Sequence, residues 1–92
     1  NGGKVENVFR LQIMNATETS QGFKLTVDGL PGLAIASEQD VVIESTQARW
    51  VAVRVQLPFD AAQPGTYPIH FRITAQQSAQ TVSEKSVFIV PR

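Results

Sequence analysis

Alternation of apolar and polar residues, clearest from Pro64 to Ile73, is the feature that most limits what this chain can fold into. After a Pro-Gly turn signal, four large apolar residues recur at every second position: Tyr67, Ile69, Phe71 and Ile73. A period of two residues is typical of a strand with one face in a core, whereas an amphipathic helix repeats about every 3.6 residues. We therefore predict a strand whose core face holds these four side chains and whose outer face holds His70 and Arg72.

The same pattern predicts six further strands. They are Val5 to Met14, Phe23 to Val27, Leu33 to Ile35, Val41 to Glu44, Arg49 to Leu57 and Val82 to Val90. Asn7 and Val8 interrupt the first alternation, as at a bulge or an edge strand. The apolar run Val87 to Val90 leaves the inward face of the last strand undecided. With turn signals about every 8 to 12 residues and no helical stretch, the chain is predicted to be all-β, an immunoglobulin-like β-sandwich of about seven antiparallel strands in two sheets.

Two features separate this chain from antibody domains. Tyr67 follows a turn, as the tyrosine corner of immunoglobulin-like sandwiches does, but Ile69 occupies the position of the second disulfide cysteine. Trp50, the only tryptophan, lies on the fifth predicted strand rather than the third. We therefore expect the immunoglobulin-like architecture without its disulfide. Residues 1–4, which begin Asn-Gly-Gly, are predicted to be a linker remnant, and residues 5–92 a single domain.

Composition excludes several classes of function. The chain has 8 basic and 8 acidic side chains, and this balance provides no cationic field for nucleic acid. It contains no cysteine, which removes disulfides, thiolate nucleophiles and iron–sulfur ligands. Its apolar runs are far shorter than the ~20 residues that span a bilayer, so no membrane insertion of this chain is expected.

No catalytic, cofactor-binding or metal site is predicted. His70 is the only histidine and faces outward by alternation, and Met14 and the carboxylates are too dispersed for a metal site. No serine-nucleophile motif occurs. The Asn15-Ala16-Thr17 triplet matches a glycosylation acceptor but is also explained by a polar turn. The residues therefore indicate a domain that is not an enzyme.

Trp50 leaves two interpretations open. Alternation places its side chain on the outer face with Arg54, where an exposed tryptophan could stack on sugar rings or anchor a partner protein. We favour the alternative in which Trp50 covers the sheet, lying over the Arg54 stem or under the loop that holds Phe59. Exposure of the indole distinguishes the two.

Three segments resemble one known family. They are Glu6 to Asn15, Gly29-Leu30-Pro31-Gly32-Leu33 and Pro64-Gly65-Thr66-Tyr67-Pro68-Ile69. Together they are similar to the C-terminal immunoglobulin-like domain of the FixG/CcoG-type cytochrome oxidase accessory proteins of Gram-negative bacteria. The first segment is the most specific, since many sandwiches contain a Pro-Gly-Thr-Tyr turn.

The resemblance implies a biological setting. Members of that family are membrane-bound polyferredoxins with [4Fe–4S] clusters, and their final β-domain is expected on the periplasmic side of the inner membrane. The family is associated with assembly or copper supply of a haem–copper oxidase. The cluster cysteines are absent here, so the resemblance assigns no cofactor to these residues. It implies a non-catalytic interaction domain whose partners are oxidase-assembly components or the protein's own membrane part. A carbohydrate- or protein-binding module that uses Trp50 is the alternative.

Overall fold

The chain folds into two packed antiparallel sheets. The computed structural model describes residues 3–92 and contains seven strands, which fall within about two residues of the predicted ones. The strands are β1 (Lys4–Met14), β2 (Gln21–Asp28), β3 (Ala34–Ile35), β4 (Asp40–Ile43), β5 (Ala48–Pro58), β6 (Gly65–Ala75) and β7 (Thr81–Val90). One sheet has the order β1-β5-β3 and the other β4-β2-β6-β7. The predicted immunoglobulin-like sandwich is confirmed.

Alternate residues of each strand fill the space between the sheets. Ile69, Phe71 and Ile73 of β6 are buried as predicted, and Tyr67 packs at the edge of the core. The Phe9 ring of the three-stranded sheet meets the Phe71 ring edge to face, with centroids 5.1 Å apart. This aromatic contact joins the two sheets directly. The sequence left the inward face of β7 undecided. In the structure, Phe88 and Val90 point inward, while Val87 and Ile89 are exposed.

Tyr67 forms the predicted tyrosine corner. Its hydroxyl donates a 2.6 Å hydrogen bond to the carbonyl of Gln63, four residues upstream. Ile69, at the cysteine position of antibody domains, is fully buried and replaces the disulfide with apolar packing. The corner fixes the loop before β6 while leaving the core apolar.

Of the two interpretations of Asn7 and Val8, the edge strand is confirmed, because β1 lies at the edge of its sheet, and the bulge is wrong. Pairing of β1 with β5 is continuous from Lys4–Pro58 to Met14–Ala48. Asn7 instead faces the side of the sandwich, where its amide donates to the Ile89 carbonyl at 3.0 Å and accepts from the Ile89 amide at 2.8 Å. The Asn7 side chain therefore hydrogen-bonds to the backbone of β7 as a neighbouring strand would. These two bonds link the edges of the two sheets.

Asn15 is a buried structural residue. Its amide nitrogen lies 2.9 Å from the carbonyl oxygen of Thr19, 3.0 Å from that of Ile43 and 3.2 Å from that of Glu44. Its carboxamide oxygen accepts from the backbone and the hydroxyl of Thr17. The glycosylation triplet is thus explained by turn structure, because the nitrogen that would carry a glycan is enclosed and occupied.

Candidate interaction surface

The outer face of the three-stranded sheet carries an apolar surface around Trp50. In the β1–β5 register, Trp50 lies opposite Gln12, and Met14 lies opposite Ala48. The exposed fractions are 63% for Trp50, 66% for Met14 and 61% for Val8. We call this surface the Trp50 face; it comprises Val8, Arg10, Gln12 and Met14 of β1 with Ala48, Trp50 and Ala52 of β5.

The favoured interpretation of Trp50 as a covered residue is wrong. Arg54 turns away, donating from its guanidinium to the Ala36 carbonyl at 2.9 Å and pairing with Glu6 at 3.5 Å. Phe59 lies beyond the far end of β5, on the order of 30 Å along the strand, and is itself exposed. The only close neighbours of Trp50 along its own strand face are two alanines, Ala48 and Ala52. Small residues on both sides leave the indole open to solvent.

The charges on this side of the sandwich are unbalanced. Outward positions of β1 and β5 carry Lys4, Arg10 and Arg54 against a single carboxylate, Glu6. Glu6 is already engaged, since it accepts a 2.8 Å hydrogen bond from Gln56 and pairs with Arg54. Within residues 3–92, Arg10 forms no ion pair. The Trp50 face therefore presents an uncompensated cation beside an aromatic ring.

A groove adjoins the Trp50 face at the free edge of β1. It has a volume of about 250 Å³ and lies between that edge and strands β6 and β7. The groove is lined by Met14 and Gln12 of the Trp50 face and by the core residues Ile13, Phe23 and Ile73. Glu84 lines it on the β7 side. Nearer the start of β1, the hydrogen bonds between the Asn7 side chain and the Ile89 backbone close the gap between β1 and β7. An apolar side chain that reached past Met14 would therefore contact the core.

The outer face of the four-stranded sheet has a different character. Asp28 lies 3.4 Å from the Arg72 guanidinium and 4.0 Å from His70. His70 thus faces outward as predicted, beside the Asp28 carboxylate. Over residues 3–92 there is no cluster of three or more histidine, cysteine or carboxylate side chains suited to a metal ion. Residues 3–92 also contain no helix that is long and apolar enough to cross a membrane.

The fold defines a small immunoglobulin-like domain, and comparison with known families identifies which one. A family model described as "IG-like fold at C-terminal of FixG, putative oxidoreductase" matches residues 1–91. The chain therefore belongs to the family of FixG C-terminal immunoglobulin-like domains.

Two solved structures resemble the chain. A FixG-related protein from Vibrio parahaemolyticus is 25% identical with a TM-score of 0.86, over 95% of this chain and 80% of that one. An extracellular fragment of EsaA from Streptococcus gallolyticus is 15% identical with a TM-score of 0.50, over 95% of this chain and 24% of that one. The second likeness concerns the fold alone. A comparison with curated proteins finds no match.

Sequence reasoning found Trp50 but missed the surface around it. Val8 and Met14 occupy outward positions by the same alternation that places Trp50, so the pattern was available. The missing information was the register, which sets Met14 diagonally beside Trp50 across the β1–β5 pair. The groove depends on the packing of β1 against β6 and β7, and no local pattern specifies that contact.

Proposed function

We propose that this chain is a non-catalytic protein-interaction domain on the periplasmic side of the bacterial inner membrane. Its parent would be a membrane-bound iron–sulfur protein that takes part in assembly or copper supply of a haem–copper oxidase. Membership of the FixG family supports this setting. The [4Fe–4S] clusters would belong to the parent, because this chain has no cysteine to ligate them.

The observation that carries the interaction role is the exposed Trp50 face. Tryptophan, arginine and methionine are enriched in the centres of protein interfaces, and contiguous exposed apolar patches mark binding sites. An exposed tryptophan flanked by alanines contributes little to the fold of this domain. Its large apolar area would be buried on contact with a partner.

The position of the Trp50 face favours a partner other than the rest of the same protein. The family description places this fold at the C-terminus of FixG, so the remainder of such a protein would join at the start of β1. Gln12, opposite Trp50, lies nine residues beyond Gly3, on the order of 30 Å along an extended strand. The surface is therefore presented away from the joint.

Site-specific cross-linking in cells tests this function. A photoreactive amino acid would replace Ala52, beside Trp50, in the parent protein, and a matched one would replace Thr26 on the outer face of the four-stranded sheet. We expect a covalent product with an oxidase-assembly component from position 52 only, and lower oxidase activity when the domain is deleted. Normal oxidase assembly after deletion, with no product from position 52, would contradict the proposal.

A carbohydrate-binding module remains the second candidate, because the exposed indole of Trp50 is bordered by polar Gln12 and Arg10. Sugar rings stack on such a platform through their apolar faces. Titration of the sole tryptophan's fluorescence with soluble oligosaccharides tests this function. Calorimetry would then compare the wild type with Trp50→Ala, which has no tryptophan to report binding. Saturable oligosaccharide binding in the wild type that is lost in Trp50→Ala would favour sugar binding over protein binding.

A further inference from the structure

We propose that the Trp50 face binds an acidic, partly apolar segment of a partner protein, with carboxylates at Arg10 and an apolar side chain against Trp50 and Met14. This inference rests on the proposed interaction function and names the chemistry of the partner. It follows from charge, from register and from the neighbouring groove.

The carboxylates of this neutral chain lie mostly away from the outer face of β1 and β5. The protein has 8 acidic and 8 basic side chains, yet Glu6 is the one acidic residue at an outward position of β1 or β5. It is held by Arg54 and Gln56. An approaching anionic segment would meet Arg10 without displacing an existing ion pair. A cationic segment would find no free carboxylate on this face, so complementarity favours acidic partners.

The register of β1 and β5 brings Arg10 close to Trp50. Arg10 lies opposite Ala52 and diagonal to Trp50, which places their Cβ atoms about 7 Å apart. Ala52 fills little of the space between them. Arg10 and Trp50 are therefore near neighbours on one face of the sheet, with only a small side chain beside them. A single extended segment can satisfy both with side chains two residues apart, since these point to the same face of a strand.

The groove determines which part of the partner must be apolar. Beyond Met14, the lining is mainly apolar, with Ile13, Phe23, Ile73 and Val82, and its one charged group is the carboxylate of Glu84. An acidic side chain would be repelled there and an apolar one accepted. The bound segment should therefore carry its carboxylates at the Arg10 end and its apolar anchor at the Met14 end.

The sole tryptophan provides the measurement. The 92-residue chain would be titrated with a short synthetic peptide that carries two glutamates and then two leucines at every second position, with serines between them, so that all four side chains share one face of a strand. Its counterpart has lysines in place of the glutamates, and indole fluorescence is recorded in both titrations. We expect binding of the acidic peptide only, with a blue shift as the ring is covered. Raising the salt concentration should weaken the binding several-fold, because the carboxylate–guanidinium attraction is screened. Amide NMR shifts should concentrate on β1 and β5.

Two charge reversals make the test specific. Arg10→Glu should weaken binding of the acidic peptide more than tenfold, whereas Lys24→Glu, an equal change on the outer face of the other sheet, should alter it less than twofold. Equal binding of both peptides, no binding of the acidic peptide at millimolar concentration, or indifference to Arg10→Glu would overturn the proposal. Vesicles of phosphatidylglycerol serve as a further probe, and binding to them rather than to the acidic peptide would also overturn it.

The cross-linking test keeps this inference distinguishable from the proposed function. If position 52 captures an assembly component equally well in wild type and in Arg10→Glu, the interaction role stands and the acidic partner is wrong. If position 52 captures nothing while the acidic peptide binds, the surface chemistry stands and the setting is wrong.

Discussion

At the scale of single residues, the most demanding position is Asn15. Its carboxamide is enclosed and serves the carbonyls of Thr19, Ile43 and Glu44 together with the amide and hydroxyl of Thr17. One side chain thus organises the loop after β1 and the end of β4. The sequence Asn-Ala-Thr indicated a turn, but a long-range role for its asparagine depends on groups 28 and 29 residues away.

Asn15→Ala is therefore expected to destabilise the domain by about 2–4 kcal/mol, because it leaves several enclosed polar groups without partners. Asn15→Asp should be at least as damaging, since a carboxylate cannot donate to the carbonyls and its charge would be buried. Urea unfolding followed by circular dichroism measures both. The control is Gln12→Ala, on an exposed position of β1, and stabilities indistinguishable from this control would contradict the role assigned to Asn15.

Neighbouring residues of β6 give a second prediction. Phe71 is fully buried against Phe9, whereas His70 is half exposed beside Asp28. Phe71→Ala should cost about 3–5 kcal/mol, enough to unfold much of so small a domain. His70→Ala should change stability by less than about 1 kcal/mol. Thermal unfolding of the two variants measures the difference, and a larger loss for His70→Ala would contradict the alternation.

At the scale of elements, the turn after β2 explains why one motif has the residues it has. Gly29 has φ of +139°, and a Cβ atom there would lie 2.7 Å from the Pro68 carbonyl oxygen and 2.9 Å from the Ile69 Cα. Both contacts are with the backbone of β6, which cannot move aside without disturbing the core. The glycine in Gly-Leu-Pro-Gly-Leu is therefore required where the chain leaves one sheet for the other.

Gly29→Ala is expected to lower the free energy of unfolding by more than about 2 kcal/mol, from backbone strain together with the steric clash. Gly22→Ala is the matched control, because a Cβ atom there meets only the Gln76 side chain, which can rotate away. Chemical denaturation of both variants compares them. Equal stability of Gly29→Ala and Gly22→Ala would show that the turn is looser than described.

The strands were largely predictable because each strand buries one face. A half-buried strand alternates apolar and polar residues, and this pattern is visible within a few residues of sequence. The exceptions have a common physical cause. Asn7 interrupts the alternation because it is polar on a core-facing parity, which left an edge strand or a bulge open, and its hydrogen-bond partner is Ile89, 82 residues away. The inward face of β7 was undecided because exposed Val87 and Ile89 are as apolar as buried Phe88 and Val90. Contacts between sheets decide such cases, and local patterns do not contain them.

At the scale of the whole molecule, the two outer faces of the sandwich differ in the residues that they expose. The four-stranded sheet exposes Asp28 paired to Arg72 at its centre and Val42, Val87 and Ile89 on its edge strands, and the three-stranded sheet exposes the Trp50 face. The sequence predicted the sandwich and the family, but it favoured a covered Trp50. The exposure arises from two alanines and from an arginine that turns toward Glu6 and Ala36, which are details of packing.

The most direct test compares two exposed aromatic residues at opposite ends of the domain. Trp50→Ala and Phe59→Ala would be introduced separately into the parent protein, after thermal unfolding has shown that each isolated domain is as stable as the wild type. Both side chains are mostly exposed, at 63% and 71%, so neither change should disturb the fold.

The measurement is the level of assembled, active oxidase in cells. If the Trp50 face is the interaction surface, we expect Trp50→Ala to lower that level several-fold while Phe59→Ala leaves it unchanged. A wild-type level in the Trp50→Ala strain, or an equal loss in both strains, would contradict the central claim.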